Sequence, residues 1–349
     1  MIRRPESAFA IGLILIACAL SVSGQSSDPG RKPPVLRSTT AVPENQDQSQ
    51  TSAGRQPGAA ALVTVPAIVL DRDGRYVANL RKEDFVIYEN GVEQNLSYFM
   101  SVEKPFTVAL MLDMSGSTKY QLDQIRAAAN TFVSRLRFSD RMMAVTFDGK
   151  INLLTEVADV RAIRQSKLHI PAVTDGTVLY DAVAFTLKKM AQVPGRKAIV
   201  LMTDGVDQNS AATLQSTIAE IAEQDVLIYT VQYNTLPQLP QRLSFIKNEK
   251  ARRKVEQRLL KGYATSEPYL RTLAEKTGGR FYKADDLREV GPAFEAITSE
   301  LGVQYSLGYY PKETSSAGTE RSIKVRVRYP NLVVRARDSY TTTPTIAKQ

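Results

Sequence analysis

The sequence predicts an α/β fold: an open, mostly parallel sheet with helices on both faces, plus a small β-sandwich built from N- and C-terminal flanking strands. Three observations predict it. From residue 105 onward, short apolar runs alternate with segments of helical period, the pattern of repeated strand–helix units. The first run, residues 106–112, is almost continuously apolar, as a strand covered on both faces must be. Both ends of the folded region instead alternate apolar and polar residues, the mark of strands with one wet face. Isolated hairpins are marginal in water, so the two flanks are expected to pair with each other.

Taken in order, residues 1–24 carry the marks of an export signal. Arg3 and Arg4 precede an apolar stretch from Ala8 to Val22 that is too short to span a bilayer comfortably, and Gly24–Gln25 offers a cleavage point. A second reading of the same segment takes Leu15-Ile16-Ala17-Cys18 as a lipidation signal, which would tether the chain at Cys18, and a third leaves the segment uncleaved as an anchor. Residues 25–58 are rich in Ser, Gln, Pro, Thr and Gly, the composition of a disordered linker.

Residues 59–102 read as a β flank. An apolar, β-branched run at 62–70, the turn Asp71-Arg72-Asp73-Gly74, a strand at 84–88, the hairpin signal Asn90-Gly91 and a strand near 95–100 follow one another. Residues 103–302 read as the α/β domain. Helical spacing places Leu122, Ile125, Ala129, Phe132, Val133 and Leu136 on one face, and strands are expected at 142–147, 198–202 and 226–231. Within it, residues 235–262 hold eight Lys and Arg against two Glu, which suggests a basic helical insertion. Helix, strand and helix are expected at 269–276, 278–282 and 289–301. Residues 303–341 form the second β flank, and 342–349 a disordered tail.

Composition narrows the chemistry. The chain of 349 residues has one Cys, Cys18, and one His, His169. Zinc sites built from several imidazoles or thiolates are therefore excluded, and cleavage of the export segment would leave no thiol for a disulfide. A net charge of +9 favours anionic partners without specifying nucleic acid. The basic residues lack interleaved aromatics and any nucleic-acid module.

Two segments stand where an open parallel sheet binds ligands, outside the carboxyl ends of its strands, and a third lies in a loop able to reach them. Asp113-Met114-Ser115-Gly116-Ser117 ends the first buried strand, Thr203-Asp204-Gly205 ends another, and Asp175-Gly176-Thr177 precedes a helix. Each alone has a plainer reading, a helix cap or a turn. Together they offer two carboxylates and three hydroxyls, all hard oxygen donors. That set suits Mg²⁺ or Mn²⁺, with Ca²⁺ also possible, and is poor for zinc or copper. Asp148 and Asp207 lie near the same strand ends and read as exposed turns. His169 reads as a loop or packing residue.

This set resembles the metal-ion-dependent adhesion site of the von Willebrand factor A domain family. The matching residues are Asp113, Ser115 and Ser117, then Gly176 and Thr177, then Thr203, Asp204 and Gly205. The resemblance implies that Ser115, Ser117 and Thr177 ligate a divalent cation directly or through water, with Asp113 and Asp204 in the inner sphere or just outside it. It also implies a protein ligand presenting Asp or Glu. Asp175 stands where many members have Gly, adding negative charge near the metal. The stretches at 80–91 and 303–311 look like an exported bacterial subgroup typical of Acidobacteria. The expected function is an exported protein-binding module rather than an enzyme, located in the periplasm, cell envelope or outside the cell. No Cys nucleophile, phosphate-binding Gly-Lys-Ser/Thr loop or His-Glu-x-x-His motif is present. The alternatives are a metal-assisted hydrolase and an envelope scaffold that does not exchange ligands at the metal.

Overall fold

The computed structural model describes residues 61–342, except 102–103, 172–174, 286 and 314–315. The export segment, Cys18, the linker and the tail from 343 onward lie outside the described residues. The chain begins with β1 (Val63–Leu70), β2 (Phe85–Glu89), β3 (Val92–Gln94) and β4 (Leu96–Met100). It continues through β5 (Phe106–Asp113), α1 (Leu122–Arg135), β6 (Arg141–Phe147), β7 (Ile151–Asp159), α2 (Val160–Ser166) and α3 (Leu179–Ala191). Next come β8 (Arg196–Thr203), α4 (Leu214–Ala222), β9 (Leu227–Tyr233), α5 (Leu239–Leu243), α6 (Glu249–Thr277), β10 (Phe281–Ala284) and α7 (Val290–Leu301). The last strands are β11 (Tyr305–Tyr309), β12 (Glu320–Val327), β13 (Val333–Ala336) and β14 (Ser339–Thr341).

A six-stranded sheet in the order β10-β9-β8-β5-β6-β7 forms the centre. Its strands are parallel except β7, which runs antiparallel to β6. Every residue of β5 is buried, because alternate side chains enter two separate cores. Val108, Leu110 and Leu112 pack with α1, α2 and α7 through residues such as Ile125, Ile163 and Phe294. Ala109 and Met111 pack with α3, α4 and α6 through Leu179, Ile221 and Leu270. The chain leaves β5 for β6 on one side and later returns to β8 on the other. The carboxyl end of β5 is thus the point where strand order reverses, the place where such sheets hold ligands.

The flanks pair as two four-stranded sheets, β13-β1-β11-β4 and β14-β12-β2-β3. N-terminal β1 lies antiparallel between C-terminal β11 and β13, and β2 pairs with β12. Their inner faces share a core in which Phe85 meets Tyr305 edge-on, with ring centroids 5.0 Å apart. Beneath it Glu89 is buried and pairs with Arg321. The same carboxyl group accepts from the hydroxyls of Tyr309 at 2.6 Å and Tyr340 at 2.8 Å, so three protein donors replace water around it. A second buried carboxylate, Glu300 of α7, joins the sandwich to the central domain. It accepts from Tyr229 of β9 at 2.6 Å, from Tyr76 at 3.1 Å and from Arg335 of β13.

Two features differ from the sequence expectation. Strand β7 and helix α2 were not expected at all, because β7 is a half-buried edge strand whose residues 151–159 lack a clean alternation. The basic insertion is not a separate unit either. Its second part is the first half of α6, a single 29-residue helix that runs on to Thr277 with Pro268 inside it. An interior Pro costs about 3 kcal/mol in a free helix. Here Tyr269, Leu270 and Leu273, just beyond it, are buried against the sheet and hold the turn in place. No helix among the described residues is long and apolar enough to cross a membrane.

Candidate metal centre

The loop after β5 is closed by its own side chains. Asp113 Oδ1 accepts from the Ser115 amide at 2.9 Å, turning the chain immediately after the strand. The amide and hydroxyl of Thr118 both donate to the Ser115 carbonyl, at 2.9 and 2.8 Å. These bonds fold Ser115 and Ser117 toward each other until their Oγ atoms are 2.9 Å apart. Asp113, Ser115 and Ser117 are all buried.

Thr203, the last residue of β8, ties this loop to the next. Its hydroxyl donates to Asp113 Oδ2 at 2.6 Å and accepts from the Gly205 amide at 2.9 Å. Asp204 follows, with Oδ1 accepting from the Val206 amide at 3.1 Å. Its Oδ2 accepts from Thr235 at 2.8 Å and from Tyr263 of α6 at 3.2 Å. Gly205 has a φ of +82°, and a Cβ there would stand 2.5 Å from the Ser266 Cβ of α6. Only glycine satisfies both demands, the left-handed backbone and the close approach of the helix.

The third segment reaches the other two through its backbone. The Thr177 carbonyl accepts from the amides of Gln208 and Asn209 at 3.0 and 3.1 Å, which fastens it to the loop beyond Asp204. The amide of Val178 donates to the Asp148 carbonyl at 2.8 Å. Asp175 is exposed, and its Oδ1 lies 3.1 Å from where a Cβ on Gly116 would be, facing the Ser115–Ser117 loop. Thr177 is buried. The fold therefore brings all three predicted segments, and all five candidate residues, to one end of the sheet.

Charge around Asp113 is unbalanced. Burial, and then the nearby Asp204 carboxylate, push the Asp113 carboxyl up to about 7. Hydrogen bonds from Ser115 and Thr203 oppose the shift without cancelling it. Burial chiefly, and then the Asp113 and Asp204 charges, raise the Tyr233 phenol. That buried hydroxyl has no hydrogen-bond partner among the described residues. Two buried carboxylates, with no Lys or Arg among the groups that shift Asp113, leave a deficit that a cation would fill.

The residues fit a hard divalent cation. No group of three or more His, Cys, Asp or Glu side chains able to hold a metal occurs among the described residues, so a soft or imidazole-rich site is not offered elsewhere. Three hydroxyls and two carboxylates are the oxygen ligands that Mg²⁺ or Mn²⁺ prefers. An ionised carboxylate has about four acceptor positions. Asp113 uses two and Asp204 three on protein donors, so both retain capacity for a metal-bound water or the ion.

Some neighbours depart from expectation. Asp148, in the β6–β7 turn, is buried rather than exposed: the Lys150 amide donates to its Oδ1 at 3.0 Å, and the Asp175–Thr177 loop lies against the adjoining Gly149. Asp207 is half-buried and accepts from the Ser210 hydroxyl at 2.6 Å. His169 is exposed. Thr235 and Tyr263, which hold Asp204, were missed. Both lie in or beside the basic stretch, where charge hides any site signal. The only available sign was that Tyr263 continues the spacing of Leu259, Ser266 and Leu270.

The model of the von Willebrand factor type A domain matches residues 107–296, more than half of the 349-residue chain and inclusive of all five candidate residues. A comparison with curated proteins finds no match. Among solved structures, the chain is similar to a von Willebrand factor type A protein from Catenulispora acidiphila, at 11% identity over 83% of this chain and 76% of that one, with a TM-score of 0.43. It is also similar to the vWF domain of the type V pili tip protein Mfa5 from Porphyromonas gingivalis, at 14% identity over 61% and 98%, with a TM-score of 0.42. A third similarity is to proximal thread matrix protein 1 from the mussel byssus with a zinc-occupied MIDAS motif, at 14% identity over 60% and 48%, TM-score 0.41. By the match over residues 107–296, the chain belongs to the von Willebrand factor type A domain family.

Proposed function

We propose that this protein is a binding module that captures an acidic side chain of a protein partner through a divalent cation held by Asp113, Ser115, Ser117, Thr177 and Asp204. The observation that carries the reading is the pair of buried carboxylates, Asp113 and Asp204, at the strand-order reversal, with Ser115, Ser117 and Thr177 on the adjoining loops. When bound, the cation would supply a Lewis-acidic contact with coordination left over for a carboxylate from outside. The chain's own residues do the rest. Thr203 orients Asp113, Thr235 and Tyr263 orient Asp204, and the Thr118 bonds hold the two serine hydroxyls together. Mg²⁺ is the ion proposed, with Mn²⁺ and Ca²⁺ compatible with the same donors.

The proposal assigns no catalytic step. It places the protein outside the cytoplasm, on the strength of the segment at 1–24, with membrane contact only through that segment or a lipid on Cys18. Membership of the exported acidobacterial-type subgroup belongs to the same proposal and rests on the stretches at 80–91 and 303–311.

Crosslinking mass spectrometry on whole cells tests it, comparing Mg²⁺ with EDTA and the natural chain with Asp113→Ala. One partner is expected to crosslink in Mg²⁺ and to be lost in both other conditions while the protein remains folded. Undiminished crosslinking by the metal-free protein would sink the mechanism.

A further inference from the structure

The first half of α6 carries more positive charge than its structural role explains. Lys250, Arg252, Lys254 and Lys261, and Lys247 just before the helix, are exposed, and none forms an ion pair among the described residues. Lys250, Lys254 and Arg258 are spaced four apart, so they share one ridge of the helix about 12 Å long. Like charges at this spacing destabilise a helix by about 0.2–0.5 kcal/mol per pair. The position of Lys250 adds to the cost, because it lies in the first turn, where the macrodipole is positive and cations are disfavoured. Among the described residues Arg253 is the one cation of this half paired with a carboxylate, Glu249 at 2.5 Å. A solvated helix needs none of this. The same features make the ridge attractive to an anion, since the side-chain fields add along it and the backbone field joins them at the Lys250 end.

The ridge ends at the candidate metal centre. Arg258 donates to the Gln208 carbonyl at 2.6 Å, and the Gln208 amide donates to the Thr177 carbonyl at 3.0 Å. Five residues further along the helix, Tyr263 donates to Asp204. The helix is seated tightly at this point: a Cβ on Gly262 would lie 2.7 Å from Val206 Cγ1. Phe245, 75% exposed, stands just before the helix. A ligand reaching the metal centre with one carboxylate would therefore have a cationic rail beside it.

We propose that the Lys250–Lys254–Arg258 ridge is a docking surface for an acidic segment of a protein partner, the same partner whose carboxylate the metal centre takes. The identity of the two partners rests on the function proposed above; the docking surface itself does not. Charge complementarity chooses the occupant, because the metal centre selects one Asp or Glu and the ridge favours more of them in sequence with it.

The test measures binding of a fluorescein-labelled oligo-glutamate peptide to the full-length protein by anisotropy, in Mg²⁺ and in EDTA. The peptide should bind in both, more tightly in Mg²⁺, with affinity falling steeply as salt rises. Charge reversal by Lys250→Glu and Lys254→Glu should weaken binding about tenfold or more in both buffers. A neutral pair, Lys250→Gln and Lys254→Gln, should give an intermediate loss and guards against misfolding. Ser115→Ala should remove the Mg²⁺ increment and leave the EDTA affinity intact. If Mg²⁺ adds nothing but the ridge variants still lose binding, the docking surface stands and the metal reading fails. Unchanged binding by both ridge variants overturns the proposal. So does ridge-dependent binding to phosphatidylglycerol vesicles that is tighter than binding to the peptide, which would assign the ridge to a membrane.

Discussion

The hydroxyl of Tyr263, in the middle of α6, donates to Asp204 Oδ2 at 3.2 Å, linking the long helix directly to the carboxyl end of β8. Thr235 donates to the same oxygen at 2.8 Å from the loop after β9. Groups that fix the orientation of a metal-binding side chain are typically worth 10–100-fold in affinity. Tyr263→Phe and Thr235→Val together should weaken Mg²⁺ or Mn²⁺ binding by about tenfold, measured by calorimetric titration, with little change in the circular dichroism spectrum. An unchanged affinity would mean that Asp204 needs no support from α6.

Asp113 gives a pH dependence with a definite sign. Its carboxyl is pushed up to about 7 in the folded, metal-free protein from an ordinary value of 3.8, by burial first and by Asp204 second. Between those values the folded state binds more protons than the unfolded one. Stability of the metal-free protein should therefore fall as pH rises through this window. A cation competes with that proton, so metal affinity should rise over the same range. Thermal melts from about pH 5 to about pH 8, with and without Mg²⁺, check both statements. Asp113→Asn should flatten the metal-free profile.

Gly205 separates a local demand from a general one. Replacement by Ala places a Cβ in the left-handed region and 2.5 Å from Ser266. The β8 loop and α6 must then part, which moves Asp204 away from Tyr263. Gly205→Ala should destabilise the protein by about 1–3 kcal/mol in urea titration and should also lower metal affinity. Gly74→Ala, at a φ of +77° with nothing within 4 Å, should cost about 1 kcal/mol and leave metal binding unchanged.

The sandwich supports the central domain through Glu300. A chain shortened to residues 101–302 would lose Tyr76 and Arg335 and leave that buried carboxylate with Tyr229 alone. Breaking a buried pair in this way costs about 3–5 kcal/mol. The shortened chain should melt well below the full one, and Glu300→Gln should recover part of the loss. A shortened chain of unchanged stability would show that the flanks are independent of the domain.

The legible parts of the sequence were those where burial imposes a strict pattern. β5 and β8 are covered on both faces, so they appear as apolar runs, and the acidic residues ending them stand out. The pairing of the flanks was legible because strands with one wet face cannot remain alone. β7 was not legible: at a sheet edge, with no residue fully buried, no residue type is excluded from either face. The continuity of α6 was hidden by Pro268, whose local cost is outweighed by contacts from elements far away in sequence. Asp148 looked like a turn residue, and it is one. Its burial comes from the loop at Asp175–Thr177 closing over Gly149, which no local pattern announces. Thr235 and Tyr263 were invisible for the same reason, since their role exists only once α6 lies across the β8 loop.

The central claim is that Asp113, Ser115, Ser117, Thr177 and Asp204 hold a divalent cation. Calorimetric titration of Mg²⁺ and Mn²⁺ into the metal-stripped protein tests it most directly, with Ser115→Ala and Asp113→Ala as controls. The account predicts one site per chain in the natural protein, and its loss in both variants while circular dichroism shows them folded. No saturable binding in the natural protein, or binding that survives intact in Asp113→Ala, would contradict it.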